Sequence, residues 1–191
     1  MQKSLFVLIC SGLFSASLLA ATDPVNINCD QTLQQDYSPA DFVDNRDGSV
    51  TDLRSSLIWA KCSIGQTYLL VTNTCSSDGA TNFVTWGEAL LAVESYSVNG
   101  ISEWRLPNIK ELGSLVDRSC ANPVINTTLF PKTVSSVYYS STPFKGSAVA
   151  AEYDHLVARV IDFAKGIEMP LTTQDSSNTT YAVRAVKGGD R

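Results

Sequence analysis

A single histidine, His155, is all the imidazole this chain of 191 residues carries. A zinc site needs several nitrogen or sulfur ligands, and one histidine supplies too few unless free cysteines complete the set. No Gly-x-Ser-x-Gly elbow is present to hold a hydrolase nucleophile. Basic charge is short as well, with 14 Lys and Arg against 19 Asp and Glu and a net charge of −5. A nucleic-acid binder would show a basic face, so that class of partner is excluded. Beyond Leu19 there is no long apolar run, and neither internal repeats nor coiled-coil heptads break the chain into modules.

What is present begins with an export signal. Met1-Gln2-Lys3 gives a small positive start, Ser4 to Leu19 is apolar, and Ala20-Ala21-Thr22 offers a cleavage point. The run is too short and too rich in Ser and Gly for a membrane span. Residues 1–21 are therefore expected to be a removed signal peptide, taking Cys10 and Lys3 with them and leaving an exported chain with no membrane span. Four cysteines remain, Cys29, Cys62, Cys75 and Cys120. An even count in an exported chain predicts two disulfides, and four thiols allow three pairings. A local Cys62–Cys75 bridge is natural around the β-rich Thr67 to Thr72 run. Cys29–Cys120 would then tie the polar 22–40 tail to the main domain, residues 41–189.

The local signals predict an α+β chain. Phe42-Val43 leads through the turn-rich Asp44-Asn45-Arg46-Asp47-Gly48 into Ser49-Val50-Thr51, a hairpin pattern. Leu57-Ile58-Trp59 is an apolar segment that must be buried. Thr85 with Glu88 makes a capping box ahead of Trp86, Ala89, Leu90 and Val93, which fall on one helical face. Asn108 with Glu111 makes a second, after Pro107, with Ile109, Leu112, Leu115 and Val116 in one stripe. Val137 to Thr142 and Val157 to Phe163 are β-prone, Lys165-Gly166 reads as a turn, and Tyr181 to Val186 as a closing strand. Two short helices followed by non-local strands indicate helices packed on antiparallel sheet, not alternating βαβ units.

Four blocks, taken in order, carry a resemblance. They are Phe42-x-Asp44-Asn45-x-Asp47-Gly48-x-Val50-Thr51-Asp52; Leu57-Ile58-Trp59-x-x-Cys62 with Gly65-Gln66; Trp104-Arg105-Leu106-Pro107-Asn108-x-Lys110-Glu111-Leu112; and Tyr181-Ala182-Val183-Arg184-x-Val186-x-Gly188-Gly189. Over Asp41 to Gly189 the chain resembles the Lcl C-terminal-domain family, a bacterial, exported family named after the head of a collagen-like adhesin. The resemblance implies a single C-type-lectin-like domain and an association with glycosaminoglycans and cell surfaces. It also implies kinship with formylglycine-generating oxidases. The collagen-like Gly-X-Y stalk is missing here, as are the Glu-Pro-Asn and Gln-Pro-Asp triplets of calcium-dependent lectins.

Candidate sites follow. Asp44, Asp47 and Asp52 do not fit a calcium loop: with Gly48 at the sixth position, Val43 is first and Arg54 twelfth. Turn chemistry is the better reading. His155 lies in Glu152-Tyr153-Asp154-His155, where a surface position is favoured over a carboxylate–imidazole pair. Tyr138 and Tyr139 are the expected ligand platform, because neighbours on a strand face opposite ways and one of them should be exposed. Arg105, Lys110, Arg184 and Lys187, with Arg118, are expected to gather into a basic patch if the closing strand passes the second helix. Trp59, Trp86 and Trp104 are expected in the core. No catalytic residue, cofactor or metal is expected. The chain reads as a non-catalytic module binding polysaccharide or glycosaminoglycan at a surface. An envelope assembly subunit that binds a protein partner comes second. An oxidase of the formylglycine type is third and would need free thiols.

Overall fold

The structure, a computed structural model, describes residues 28–144, 157–172 and 181–189. The signal segment, Tyr153 and His155 lie outside the described residues.

The first sheet grows from turn chemistry. Strands β1 (Phe42–Asp44) and β2 (Ser49–Asp52) pair antiparallel around the aspartate-rich turn. Asp44 accepts from the Arg46 amide at 3.0 Å and Asp47 from the Ser49 amide at 2.9 Å. These side chains satisfy turn amides that the ladder leaves unpaired. Gly48 sits at φ +94°, and a Cβ there would come 2.6 Å from Val98 Cγ2. Only glycine meets both demands cheaply. Strand β3 (Leu57–Ala60) pairs with β2, setting Trp59 opposite Val50, and the sheet closes on β9 (Val186–Lys187) in the order β1-β2-β3-β9.

Between β3 and the helices, β4 (Tyr68–Leu69) and β5 (Thr74–Cys75) form a two-stranded hairpin stapled by the Cys62–Cys75 disulfide. The second bridge, Cys29–Cys120, spans 91 positions. Both pairings are those anticipated, and they place the chain in an oxidising, extracytoplasmic compartment. Among the described residues no helix is long and apolar enough to cross a membrane.

Helices α1 (Trp86–Glu94) and α2 (Ile109–Gly113) both start at complete capping boxes. On α1, Ala89 and Val93 are buried, Trp86 is half-buried with its indole N–H on Ser140 O at 2.8 Å, and Leu90 lies at the surface edge. On α2, Ile109 and Leu112 are buried; the helix stops at Gly113, so Leu115 and Val116 complete the stripe from the following turns. Strands β6 (Val137–Pro143), β7 (Val157–Asp162) and β8 (Ile167–Thr172) make an antiparallel meander.

Two apolar clusters result. One gathers Phe42, Trp59, Leu112, Phe130, Tyr138 and Phe163. The other gathers Val93, Trp104, Leu106, Tyr139, Val160 and Tyr181. Tyr138 and Tyr139 belong to different clusters because adjacent strand residues face opposite sides and both sides of β6 are covered. Through the middle runs 181–186, which is not one ladder. Tyr181 accepts from the Phe83 amide, Ala182 pairs with Val137 and Tyr139, Val183 accepts from Ile64, Ala185 from Ala60, and Val186 exchanges bonds with Arg105. All six residues are buried, and their backbone bonds go to several separate segments. Regular strand geometry is therefore confined to Val186–Lys187, shorter than the sequence suggested.

Candidate functional site

Arg105 is fixed from two directions. Its backbone pairs with Val186 at 2.8 and 2.9 Å. Its guanidinium makes a two-pronged ion pair with Glu111, both contacts 2.8 Å, and donates to Gly188 O at 2.6 and 3.2 Å. Gly189 allows this approach, since a Cβ there would lie 2.9 Å from Arg105 Nη2. Glu111 is the residue that closes the α2 capping box, accepting from the Asn108 amide at 2.7 Å. One carboxylate thus caps a helix and clamps the arginine that holds the closing strand. Burial pushes the Glu111 carboxyl up, but the hydrogen bonds from Arg105 and Asn108 and the arginine's charge outweigh it, holding the group below the usual carboxylate range.

This clamp forms one wall of an open cleft of about 470 Å³. It is lined by apolar Leu90, Val93, Trp104 and Leu106 and by polar Glu94, Arg105, Asn108, Glu111 and Ser141. Trp104 is only 4% exposed, with its indole N–H on Ile101 O at 2.9 Å. The arrangement sets a carboxylate, an amide and a hydroxyl, from Glu111, Asn108 and Ser141, beside apolar side chains, a mixture that suits a small ligand.

The sequence-predicted residues do not all meet there. Arg105 does, and Lys110 is exposed on α2. Lys187 pairs with Glu103 at 3.0 Å and donates to Ser102 O. Arg118 pairs with Asp36.

Three expectations are corrected outright. Arg184 is fully buried, donating to Ala60 O, Lys61 O and Thr133 Oγ1 beneath the Phe130 ring. Burial lowers the pKa of its guanidinium, against the pull of the Tyr138 and Tyr96 hydroxyls. Tyr138 and Tyr139 are also fully buried. Tyr138 shares a 2.8 Å hydrogen bond with Ser63 and meets Phe163 edge-on, while Tyr139 packs on Tyr181. Neither ring can serve as a surface platform, and the anticipated basic patch dissolves into ion pairs and core.

Leu90, Glu94 and Ser141 line the cleft without having been anticipated. They come from α1 and β6, and no local pattern marks residues that only tertiary packing brings together. Trp59, by contrast, is in the core as expected. The aspartates of the first hairpin make the expected turn bonds, and Asp44 also reaches two distant segments. Asp44 takes Lys61 Nζ at 2.5 Å and Asn73 at 2.7 Å, and Asp52 takes Arg54 at 2.9 Å. Cys29, Asp117 and Cys120 cluster closely, but both sulfurs are spent in the disulfide.

Comparison with curated proteins finds no match. Residues 48–187 do match one family, and the matched span takes in the Arg105–Glu111 clamp and the closing strand, so the chain belongs to the Lcl C-terminal domain family.

Proposed function

We propose that this protein is an exported, non-catalytic recognition domain that binds polysaccharide in the cleft between α1 and α2. The observation that carries the reading is the Arg105–Glu111 pair lining one cleft with Leu90, Val93 and Leu106. A sugar hydroxyl can donate to the remaining lone pairs of the Glu111 carboxylate, which Arg105 holds in place, and the ring's C–H face suits an apolar lining. Glu111 is a poor proton donor, being held ionised by Arg105, which supports binding over turnover. The oxidase alternative needs free thiols, and Cys29, Cys62, Cys75 and Cys120 are all bridged. Glycosaminoglycan is the less favoured polysaccharide, because Arg105 and Lys187 are already neutralised by Glu111 and Glu103.

A glycan array followed by titration calorimetry tests this. Ser141→Tyr, which fills the cleft, should weaken a bound glycan at least about tenfold, or about 1.4 kcal/mol, with an unchanged melting temperature. Retention of no glycan sinks the reading. Retention abolished by Lys110→Ala and by added salt would restore the polyanion. A protein partner is the second reading, favoured by the exposure of Val84 and Leu91 at 71% and 67%. Capture of a purified envelope protein in place of any glycan would establish it.

A further inference from the structure

Among the described residues Lys61 is the lysine sunk into the protein, only 1% exposed. A single ion pair repays the lost hydration of a buried ammonium poorly, so the other groups around it matter. Three strand ends converge there. Asp44 ends β1, Lys61 follows β3 and Asn73 precedes β5. Lys61 Nζ donates to Asp44 Oδ2 at 2.5 Å and to Asn73 Oδ1 at 2.7 Å. Asn73 Nδ2 donates to the same Asp44 oxygen at 2.7 Å, and the Tyr68 hydroxyl donates to Asn73 Oδ1 at 2.8 Å. An amine, a carboxamide and a carboxylate thus close a triangle of contacts, with a phenol on the carboxamide oxygen. The Cys62–Cys75 bridge lies beside them in the chain and ties the two segments that carry the amine and the carboxamide.

Each group has a part in joining an amine to an amide. A carbonyl bond is about 1.23 Å long, so Asn73 Cγ lies at most about 3.9 Å from Lys61 Nζ. Attack proceeds from about 3–3.5 Å, a small adjustment away. Once its proton is removed, the amine is a nucleophile. Asp44 can take that proton and return one to Asn73 Nδ2, since a single carboxylate oxygen touches both nitrogens. Tyr68 already donates to the oxygen on which negative charge would develop.

We infer that Lys61 and Asn73 become joined by a side-chain amide, an isopeptide bond, with Asp44 as proton carrier. The Lys61 ammonium passes a proton to Asp44, and the nitrogen lone pair attacks Asn73 Cγ. The Cγ–Nδ2 bond breaks as Asp44 gives its proton to the departing nitrogen, which is released as ammonia. Asp44 then takes the surplus proton from the new amide nitrogen and yields it to the ammonia, which departs as ammonium. One amide replaces another, and neither oxidant nor reductant is needed. Asp44 is 30% exposed, which gives the ammonia a way to water. Burial pushes the Asp44 carboxyl up, but hydrogen bonds from Lys61 and Asn73 outweigh it and hold the group below the usual carboxylate range. The ion pair is therefore the resting state, and the bond forms slowly in the folded protein. It links residues 12 positions apart, alongside the disulfide, and reduction cannot open it.

The test is mass spectrometry of the exported protein, incubated folded, then reduced, alkylated and unfolded. The chain should be lighter by one ammonia than its sequence requires. Trypsin should fail to cut after Lys61, leaving residues 55–105 as one peptide, and cleavage after Tyr68 by chymotrypsin should leave two pieces still joined. Asn73→Ala and Asp44→Ala should each restore the full mass and the cut after Lys61. A wild type of full mass overturns the proposal, whatever the variants do. So does a loss of ammonia with trypsin still cutting after Lys61, since Asn73 would then have closed on its own backbone. A bond that persists in Asp44→Ala overturns the role given to Asp44. None of these readings depends on a glycan in the α1–α2 cleft.

Discussion

Replacing Glu111 with alanine removes the side-chain half of the α2 capping box and leaves Arg105 with only carbonyl partners, Gly188 and Leu106. The side chains of the pair are 22% and 15% exposed, between the surface and the interior. Exposed ion pairs are worth about 0–1 kcal/mol, and breaking a buried one costs about 3–5 kcal/mol. With the cap included, the loss is about 2–3 kcal/mol, or roughly 4–12 °C in melting temperature for a chain of this size. The pH dependence has a definite sign. A carboxyl with a depressed folded pKa stabilises above its unfolded value, near 4.5, and that stability is lost as pH falls through the folded value. Urea unfolding of wild type and Glu111→Gln at pH 7 and about pH 3 should therefore show a gap that narrows in acid. Asp44 and Asp52 are also held below their usual range by their partners, but both proteins keep them, so the difference cancels their effect. A gap that stays flat with pH, or a loss below about 0.5 kcal/mol in the alanine variant, would refute the clamp's importance.

Other outcomes follow from the same packing. Trp104→Ala should cost roughly 3–5 kcal/mol, since the ring is buried; full stability in denaturant titration would show the indole to be dispensable to the fold. Gly48→Val should destabilise by about 2 kcal/mol or more, combining a positive φ with a contact on Val98. An unshifted urea midpoint would contradict it. Cys29→Ser with Cys120→Ser should lower stability by about 4–5 kcal/mol on the loop-entropy estimate for a span of 91. A matching loss on removing the Cys62–Cys75 bridge, which closes only 13 positions, would argue against that entropic account.

The features legible in the sequence were those decided within a few residues. Thr85 with Glu88 and Asn108 with Glu111 cap their helices because an N-cap and its partner lie three apart, whatever the rest of the chain does. The Asp44 to Gly48 turn is equally local. Arg184 and the Tyr138–Tyr139 pair misled for the opposite reason. A charged residue in Tyr181 to Val186 suggests a solvent-facing side, and a Tyr-Tyr pair suggests one free face. Both inferences assume a sheet wetted on one side. Here both sides are covered, so the cation finds the Ala60 and Lys61 carbonyls and each ring finds its own cluster. The cleft was hidden likewise, because Leu90, Arg105 and Ser141 converge only after α1, α2 and β6 have packed.

The way residues 181–186 bond to so many partners has a bearing on when the polypeptide can close. Synthesis delivers this stretch near the end, yet Ile64, Phe83, Arg105 and Tyr139 each wait for it to fill an amide or carbonyl. Until then those backbone groups lack their partners, so the nascent protein should be looser and more open to protease than the finished fold. Limited proteolysis of a version cut before Tyr181 should digest it throughout, and a protected fragment would show that an earlier part had closed by itself.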